Sequence, residues 1–339
     1  MAGPAWAGPP DAPNTVWQQG VPGLQKCDSD ACRCERAATA ASGNSEALCD
    51  AVLGNAATND ADRASALRAR AQIRSQAHRY DGAITDADEA IGIDMKIDDP
   101  FDAALAYDVR GNAHLQRNED AAAFADFDSA VNEMPHDTRF GVARGLAYLA
   151  AGNLAKAARD FGDVIDSSQY PTSRVGSITM TLYDNHADAY WGRGVVRLLA
   201  VHYDEAAEDF TKTIALDPKS GIAAIWLHYV RERQGHDDSA ELAANAAKLD
   251  PAGRAAAALK LFAGNAPAAT ANDVASGPES ANGTCEGILA VAEWNKFSRH
   301  DDANAARAYR AVVGTCQRSV QTALAQAMLQ TPPQVNLPR

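Results

Sequence analysis

The sequence predicts an all-α protein built from repeated pairs of antiparallel helices, and three observations carry that expectation. In Tyr190–Pro218 two runs of apolar residues at helical spacing flank a short turn (Val195, Leu198 and Leu199, then Ala206, Phe210 and Ile214), and Pro218 stops the second run. A pair of small residues twelve positions apart recurs at Ala71/Ala83, Gly111/Ala123, Gly145/Ala157 and Gly194/Ala206, and less cleanly at His228/Ala240. Such a pair lets two helix backbones approach closely where they cross. Finally, aromatic residues make up only 6% of a chain that is 46% hydrophobic, which suits Ala-rich helix packing better than a β-sandwich.

The steps Gly111 to Gly145 and Gly194 to His228 are each 34 residues, and the other steps are lengthened as insertions would lengthen them. On Tyr107, Gly111, Ala123, Phe127, Ala130 and Pro135, then Gly145, Tyr148, Ala157 and Phe161, then Tyr190, Gly194, Tyr203, Ala206, Phe210 and Pro218, the chain resembles the tetratricopeptide repeat (TPR) family from about residue 60 to about residue 250. The resemblance implies a TPR-type helical-hairpin solenoid, a right-handed superhelix, closed by helical caps. It departs from the family pattern at the ends, where Ala71 stands for the usual Gly and His228 puts bulk at a close-packing point.

Taken in order, residues 1–26 carry Pro4, Pro9, Pro10, Pro13 and Pro22 and read as a flexible lead-in whose large apolar anchor is Trp17. Residues 27–56 read as a Cys-containing helical cap, two short helices broken at Ser42-Gly43-Asn44, with Ser45 capping the second. Residues 57–251 hold five TPR-like hairpins. The stretch from Tyr170 to Asp184 is the longest insertion, and is expected to prolong the next helix or to form a loop. Residues 252–284 read as a short helix and linker, 285–330 as a C-terminal helical hairpin cap, and 331–339 as a tail.

A formal charge of −13 over 339 residues argues against nucleic acid and anionic membrane surfaces as partners. No apolar run approaches the ~18 residues of a membrane span. The six cysteines fall outside the repeats: Cys27, Cys32, Cys34 and Cys49 before them, Cys285 and Cys316 after them. Their placement suits disulfides stapling terminal caps in an oxidising compartment. Antiparallel helices bring the ends of a hairpin together, so a Cys285–Cys316 bridge is expected; Cys32 and Cys34 are too close to bond each other, which points to Cys27 and Cys49 as partners with connectivity open. The start MAGPAWAGPPDAP lacks the apolar core of a signal peptide, yet AWA before a Pro-rich run is like the stretch around a cleavage site. The Cys-bearing ends resemble periplasmic bacterial TPR proteins related to small adaptor lipoproteins, although no lipobox surrounds any cysteine. The expectation is therefore a periplasmic or secreted protein, with a cytoplasmic one as the runner-up.

In the TPR family, positions 2, 5, 9, 12 and 13 of each first helix line the concave face. With the small residue as position 8, the resemblance puts Val142, Leu146, Leu149 and Ala150, then Trp191, Val195, Leu198 and Leu199 on that face, an apolar inner wall. The first two units instead offer Arg68, Gln72, Asp108, Asn112 and Gln116. Trp191, Leu146, Val195, Leu198 and Leu149 are the expected apolar anchors for a partner, and Arg68, Asn112 and Arg139 the expected polar orienting groups. Arg68, Asn112 and Arg139 echo in part the carboxylate clamp of some TPR domains, but its lysines are missing.

Catalytic and metal readings find little support. The eight histidines are scattered, and no nucleophile sits in a strand-turn-helix context. His186 with Asp184 and Asp188 reads as a solvated helix start, and the acidic stretch Asp81–Asp99 as an exposed helix face. No cofactor or metal is expected, and no enzymatic activity. The expected function is a non-enzymatic scaffold or adaptor that holds a protein or peptide partner in a concave groove. The alternatives are a self-associating envelope spacer, which would be a homo-oligomer, and a metal- or redox-handling protein using Cys27, Cys32 and Cys34 with Asp28 or Asp30.

Overall fold

The computed structural model describes residues 31, 33–35, 38, 45–167, 172–175, 178–181, 185–249, 254–264 and 281–330. After helical residues at 31, 33–35 and 38, the helices are α1 (Ser45–Gly54), α2 (Asp60–Gln76), α3 (Tyr80–Ile97), α4 (Pro100–Gln116), α5 (Asp120–Glu133), α6 (Thr138–Ala150) and α7 (Leu154–Asp166). Strands β1 (Thr172–Val175) and β2 (Ile178–Thr181) follow. Next come α8 (His186–Leu199), α9 (Tyr203–Leu216), α10 (Gly221–Gln234), α11 (Ser239–Ala246), α12 (Arg254–Phe262), α13 (Ala281–Glu293), a π-helical turn (Trp294–Ser298), α14 (Asp302–Thr315) and α15 (Val320–Leu329). The chain divides into two compact units. One comprises α1 to α5, α6 through Ala147, and the strand pair; the other comprises the remaining chain from Tyr148 onward.

In the first unit α2 packs on α3, α3 on α4 and α4 on α5. The small-residue pair is a core contact here: Ala71 and Ala83 are fully buried in one cluster with Ala87, Val109 and Ala113. In the second unit α8 packs on α7 and α9, α9 on α10, and α13 on α14. What the glycines make room for is an aromatic ring rather than the partner alanine alone. A Cβ on Gly194 would stand 2.8 Å from the ring of Phe210, and one on Gly111 would stand 3.3 Å from Phe127. Phe127, Phe161 and Phe210 are fully buried, each contributing about 2 kcal/mol of apolar burial.

Each first helix ends in the same turn. His78, Asn118, Gly152, Val201 and Gly235 all have positive φ, and each lies seven residues after its small residue. At each one two backbone bonds close the helix end; in the fourth, Val201 N donates to Leu198 O (3.0 Å) and His202 N to Arg197 O (2.8 Å). This is the Schellman arrangement, which satisfies the last carbonyls and reverses the chain within two residues.

Four expectations need correction. The insertion after Tyr170 is neither a loop nor a helix extension: β1 and β2 pair antiparallel, Thr172 opposite Thr181 and Val175 opposite Ile178, and α8 begins only at His186. The C-terminal cap has a third helix, α15, opened by a capping box between Ser319 and Thr322. The acidic stretch is not an exposed face, because Asp86 and Asp94 of α3 are buried while Asp81, Asp88 and Glu89 are exposed. Likewise Asp188, expected at a solvated helix start, is buried.

Candidate functional site

The polar inner positions of the first unit are tied into internal bonds. Arg68 on α2 donates through Nη2 to Glu35 Oε1 and through Nη1 to Asp102 Oδ1, both at 2.6 Å. Burial works against its charge, yet the Asp102 and Glu35 carboxylates hold its pKa above the ordinary arginine value. Arg139 on α6 is clamped by Asp137 (Nε to Oδ1, 2.7 Å), and its guanidinium lies 5.0 Å from the ring centre of Phe101 and 5.8 Å from that of Phe140. The expectation that Arg68 and Arg139 orient a partner's carboxylate is thereby corrected: both already hold carboxylates of the chain itself. Asn112 is half-buried and donates through Nδ2 to the backbone oxygen of Asp108 (2.9 Å). Asp108 is buried with neither carboxylate oxygen hydrogen-bonded, and burial pushes its carboxyl well above the ordinary range despite the nearby charge of Arg139.

The apolar positions are interior. Leu146 in the first unit, and Leu149, Trp191, Val195 and Leu198 in the second, are each at most 4% exposed. The expected open apolar wall is corrected on that point, since side chains this deep present no contact surface as they stand. Trp191 is at the same time imperfectly satisfied, its Nε1 having no hydrogen-bond partner among the described residues.

A feature that sequence reasoning missed runs through the repeats. Arg70, Arg110 and Arg193, each immediately before the small residue, make two parallel bonds to an aspartate sixteen residues later on the second helix. Nε of Arg70 donates to Asp86 Oδ2 (2.9 Å) and Nη2 to Oδ1 (2.7 Å); Arg110 does the same to Asp126 (3.0 and 2.5 Å); Arg193 does so to Asp209 (3.0 and 2.8 Å). A second arginine one turn on, Arg74 or Arg197, also donates to that aspartate, at 2.8 and 2.6 Å. The aspartates are buried and the arginines partly exposed, so the clamp binds the two helices of a hairpin from its outer edge. The signal was in the sequence as an Arg before the small residue and an Asp at its fixed offset in the first four repeats, Arg144 and Asp160 occupying the two positions in the third; Leu227 and Ala243 stand there in the fifth.

Cys34 and Cys49 form one disulfide (S–S 2.02 Å) within a cluster of Val52, Ala66 and Ala69; Cys285 and Cys316 form another (2.04 Å), joining the start of α13 to the end of α14. Cys27 and Cys32 lie outside the described residues, as do the lead-in, the linker and the tail. A metal site using Cys34 loses that ligand to the disulfide, and among the described residues no group of three His, Cys, Asp or Glu side chains is arranged to hold a metal ion. No described helix is long and apolar enough to cross a membrane.

No family model matches the sequence, and no curated protein does. Solved structures resemble the chain. Yeast Tom70 superposes with a TM-score of 0.53 at 13% identity, over 90% of this chain and 65% of that one. A tetratricopeptide repeat protein from Parabacteroides merdae gives 0.48 at 15% identity, over 84% and 90%. A human IFIT1 dimer with PPP-AAAA gives 0.46 at 13% identity, over 88% and 62%. With its antiparallel helical hairpins, recurrent small-residue crossings and repeated Schellman turns, the chain has the TPR-like all-α helical-repeat fold.

Proposed function

We propose that the chain is a non-enzymatic scaffold that holds a protein or peptide partner on the inner faces of its first helices. One observation carries the reading: on α2 and α4 the side chains of Gln72, Asn112 and Gln116 stand half-buried in one register, while the Arg–Asp clamps occupy the hairpins' other edge. A row of amide side chains on preformed helices suits an extended peptide, whose backbone offers donors and acceptors in turn, and a rigid receptor loses little freedom on binding it. The net charge of −13 favours a protein over a nucleic acid. The two disulfides favour an oxidising compartment, such as the periplasm, for this work.

The test is photo-crosslinking in an extract of the native host. A photoreactive residue at Gln72, Asn112 or Gln116 is expected to give discrete protein adducts, and the same residue at exposed Glu208 or Lys212 on α9 to give none. Equal adducts from both sets would overturn the assignment of the face. Light scattering over a concentration series separates this reading from a self-associating spacer, which alone would grow in mass with concentration.

A further inference from the structure

The inner face of the fifth hairpin is already occupied, and by the chain itself. Counting from His228 as the small position, the repeat register puts Ile225, Tyr229, Glu232 and Arg233 of α10 at inner-face positions. Over them lies the π-helical turn between α13 and α14. The ring of Phe297 meets that of Tyr229 edge-on, with centroids 4.7 Å apart. The Arg233 guanidinium stands 4.3 Å over Phe297 and 5.5 Å over Tyr229, and its Nε donates to the Tyr229 hydroxyl (3.2 Å). Tyr229 in turn directs its hydroxyl toward Met328 Sδ (3.7 Å). Trp226, one turn back on α10, packs edge-on against Tyr229 at 5.6 Å. The Tyr229 ring, backed by Trp226, and the Arg233 guanidinium hold the one ring of Phe297 between them.

The contact is built unlike a permanent core. Arg233 is exposed and Phe297 only half-buried, so the clamp is at the surface. A π-helical turn, a local defect in hydrogen bonding that recurs at functional positions, presents the phenylalanine. Beneath it Glu293 is fully buried, with the Tyr309 hydroxyl beside its carboxyl. Burial pushes the Glu293 carboxyl up to about 8, opposed by the Tyr309 hydroxyl and by the charges of Arg233 and Lys296. A carboxyl this deeply buried weakens the closed arrangement relative to an opened one in which water reaches it. The Cys285–Cys316 bridge keeps α13 and α14 joined, so the turn lifts with its hairpin intact.

We propose that the inner face of α10 is a seat for an aromatic side chain presented by a peptide, that Phe297 is its resident occupant, and that a partner engages this end of the protein by displacing Phe297. The inference rests on the reading of the inner faces as the binding surface and names one chemical requirement of the ligand.

The test uses the full chain and a labelled synthetic peptide of residues 291–301, VAEWNKFSRHD. The Phe297→Ala variant, with its seat vacated, is expected to bind the peptide about tenfold more tightly than the wild type, because no resident ring competes. A peptide carrying Ala at the Phe297 position is expected to bind neither protein. Equal binding to both proteins, or none to a variant of wild-type helicity, overturns the proposal. A second measurement needs no variant: amide exchange across 294–298 of the wild type is expected to run at least about tenfold faster than across α10, and equally slow exchange overturns displacement. The peptide reads the seat on α10 alone, whereas partner adducts are read on α2 and α4, so either result can fail without the other.

Discussion

Arg193 and Asp209 face each other across the hairpin of α8 and α9 through two parallel hydrogen bonds, and Arg197 adds a third to the same carboxylate. The aspartate has given up its water for this geometry, so the pair is worth most when complete. Asp209→Asn, which strands two guanidinium groups, is expected to lower stability by about 2 kcal/mol, the arginines' partial exposure keeping the loss below that of a fully buried pair. Replacing both partners with apolar residues, Arg193→Met with Asp209→Leu, is expected to recover most of it. Urea unfolding of the three proteins checks this; a double variant worse than Asp209→Asn would mean that the clamp stabilises beyond what packing can replace.

Val201 is the one β-branched residue among the five turns with a left-handed backbone (φ 66°), and its side chain is 40% exposed. Relieving the clash between Cβ and backbone outweighs the little packing lost. Val201→Gly is expected to stabilise the protein by about 1 kcal/mol, seen as a raised thermal midpoint. A lowered midpoint would show that the valine side chain has a contact worth more than the strain.

Two helical glycines should answer oppositely to the same change. A Cβ on Gly192 would lie 2.4 Å from the ring of buried Phe161, whereas one on Gly92 meets nothing within 4 Å. Gly192→Ala is expected to destabilise by about 2 kcal/mol through overpacking. Gly92→Ala is expected to stabilise by about 0.5–1 kcal/mol through its effect on the unfolded chain. Denaturant midpoints of both variants decide it.

Asp94 on α3 is buried with both oxygens unbonded, and burial, together with the neighbouring charges of Asp102 and Asp99, pushes its carboxyl up to about 7 against the pull of Arg68. The native state therefore keeps a proton that the unfolded chain releases near pH 4. Stability from this group is full below that pH and declines as pH rises toward 7, with Glu293 adding a decline of the same sign up to about 8. Unfolding free energy is expected to fall between pH 5 and pH 8, and to fall less in Asp94→Asn. Identical slopes for the two proteins would show that Asp94 is ionised in the native state.

The hairpins were legible because their signals are local: small residues at fixed spacing, a run of apolar positions, and a stop. The turns could have been read too, since each left-handed residue sits seven after its small partner. Burial of charge was not legible one helix at a time. Asp86 looks like Asp88 in the sequence, and only a comparison between repeats shows that its partner Arg70 lies at a constant offset. The strand pair left a signal that was passed over, with β-branched Thr172, Val175, Ile178, Thr179 and Thr181 flanking Gly176-Ser177. The expected inner wall went wrong for a different reason. Register locates the position of Trp191 or Leu198 on its helix, but whether that position stays open depends on the rest of the chain, as Phe297 over Tyr229 illustrates.

The disulfide between Cys285 and Cys316 also sets how the protein yields to force. Among the described residues the repeats carry no cross-link, so a pull between the chain's ends can draw out each hairpin from α2 to α12 in turn. The chain between those two cysteines, 31 positions apart, cannot follow; about 100 Å of it stays locked behind a 6.0 Å span until the bond is reduced. Under tension the last hairpin, like the shorter loop closed by Cys34–Cys49, has a length that depends on redox state.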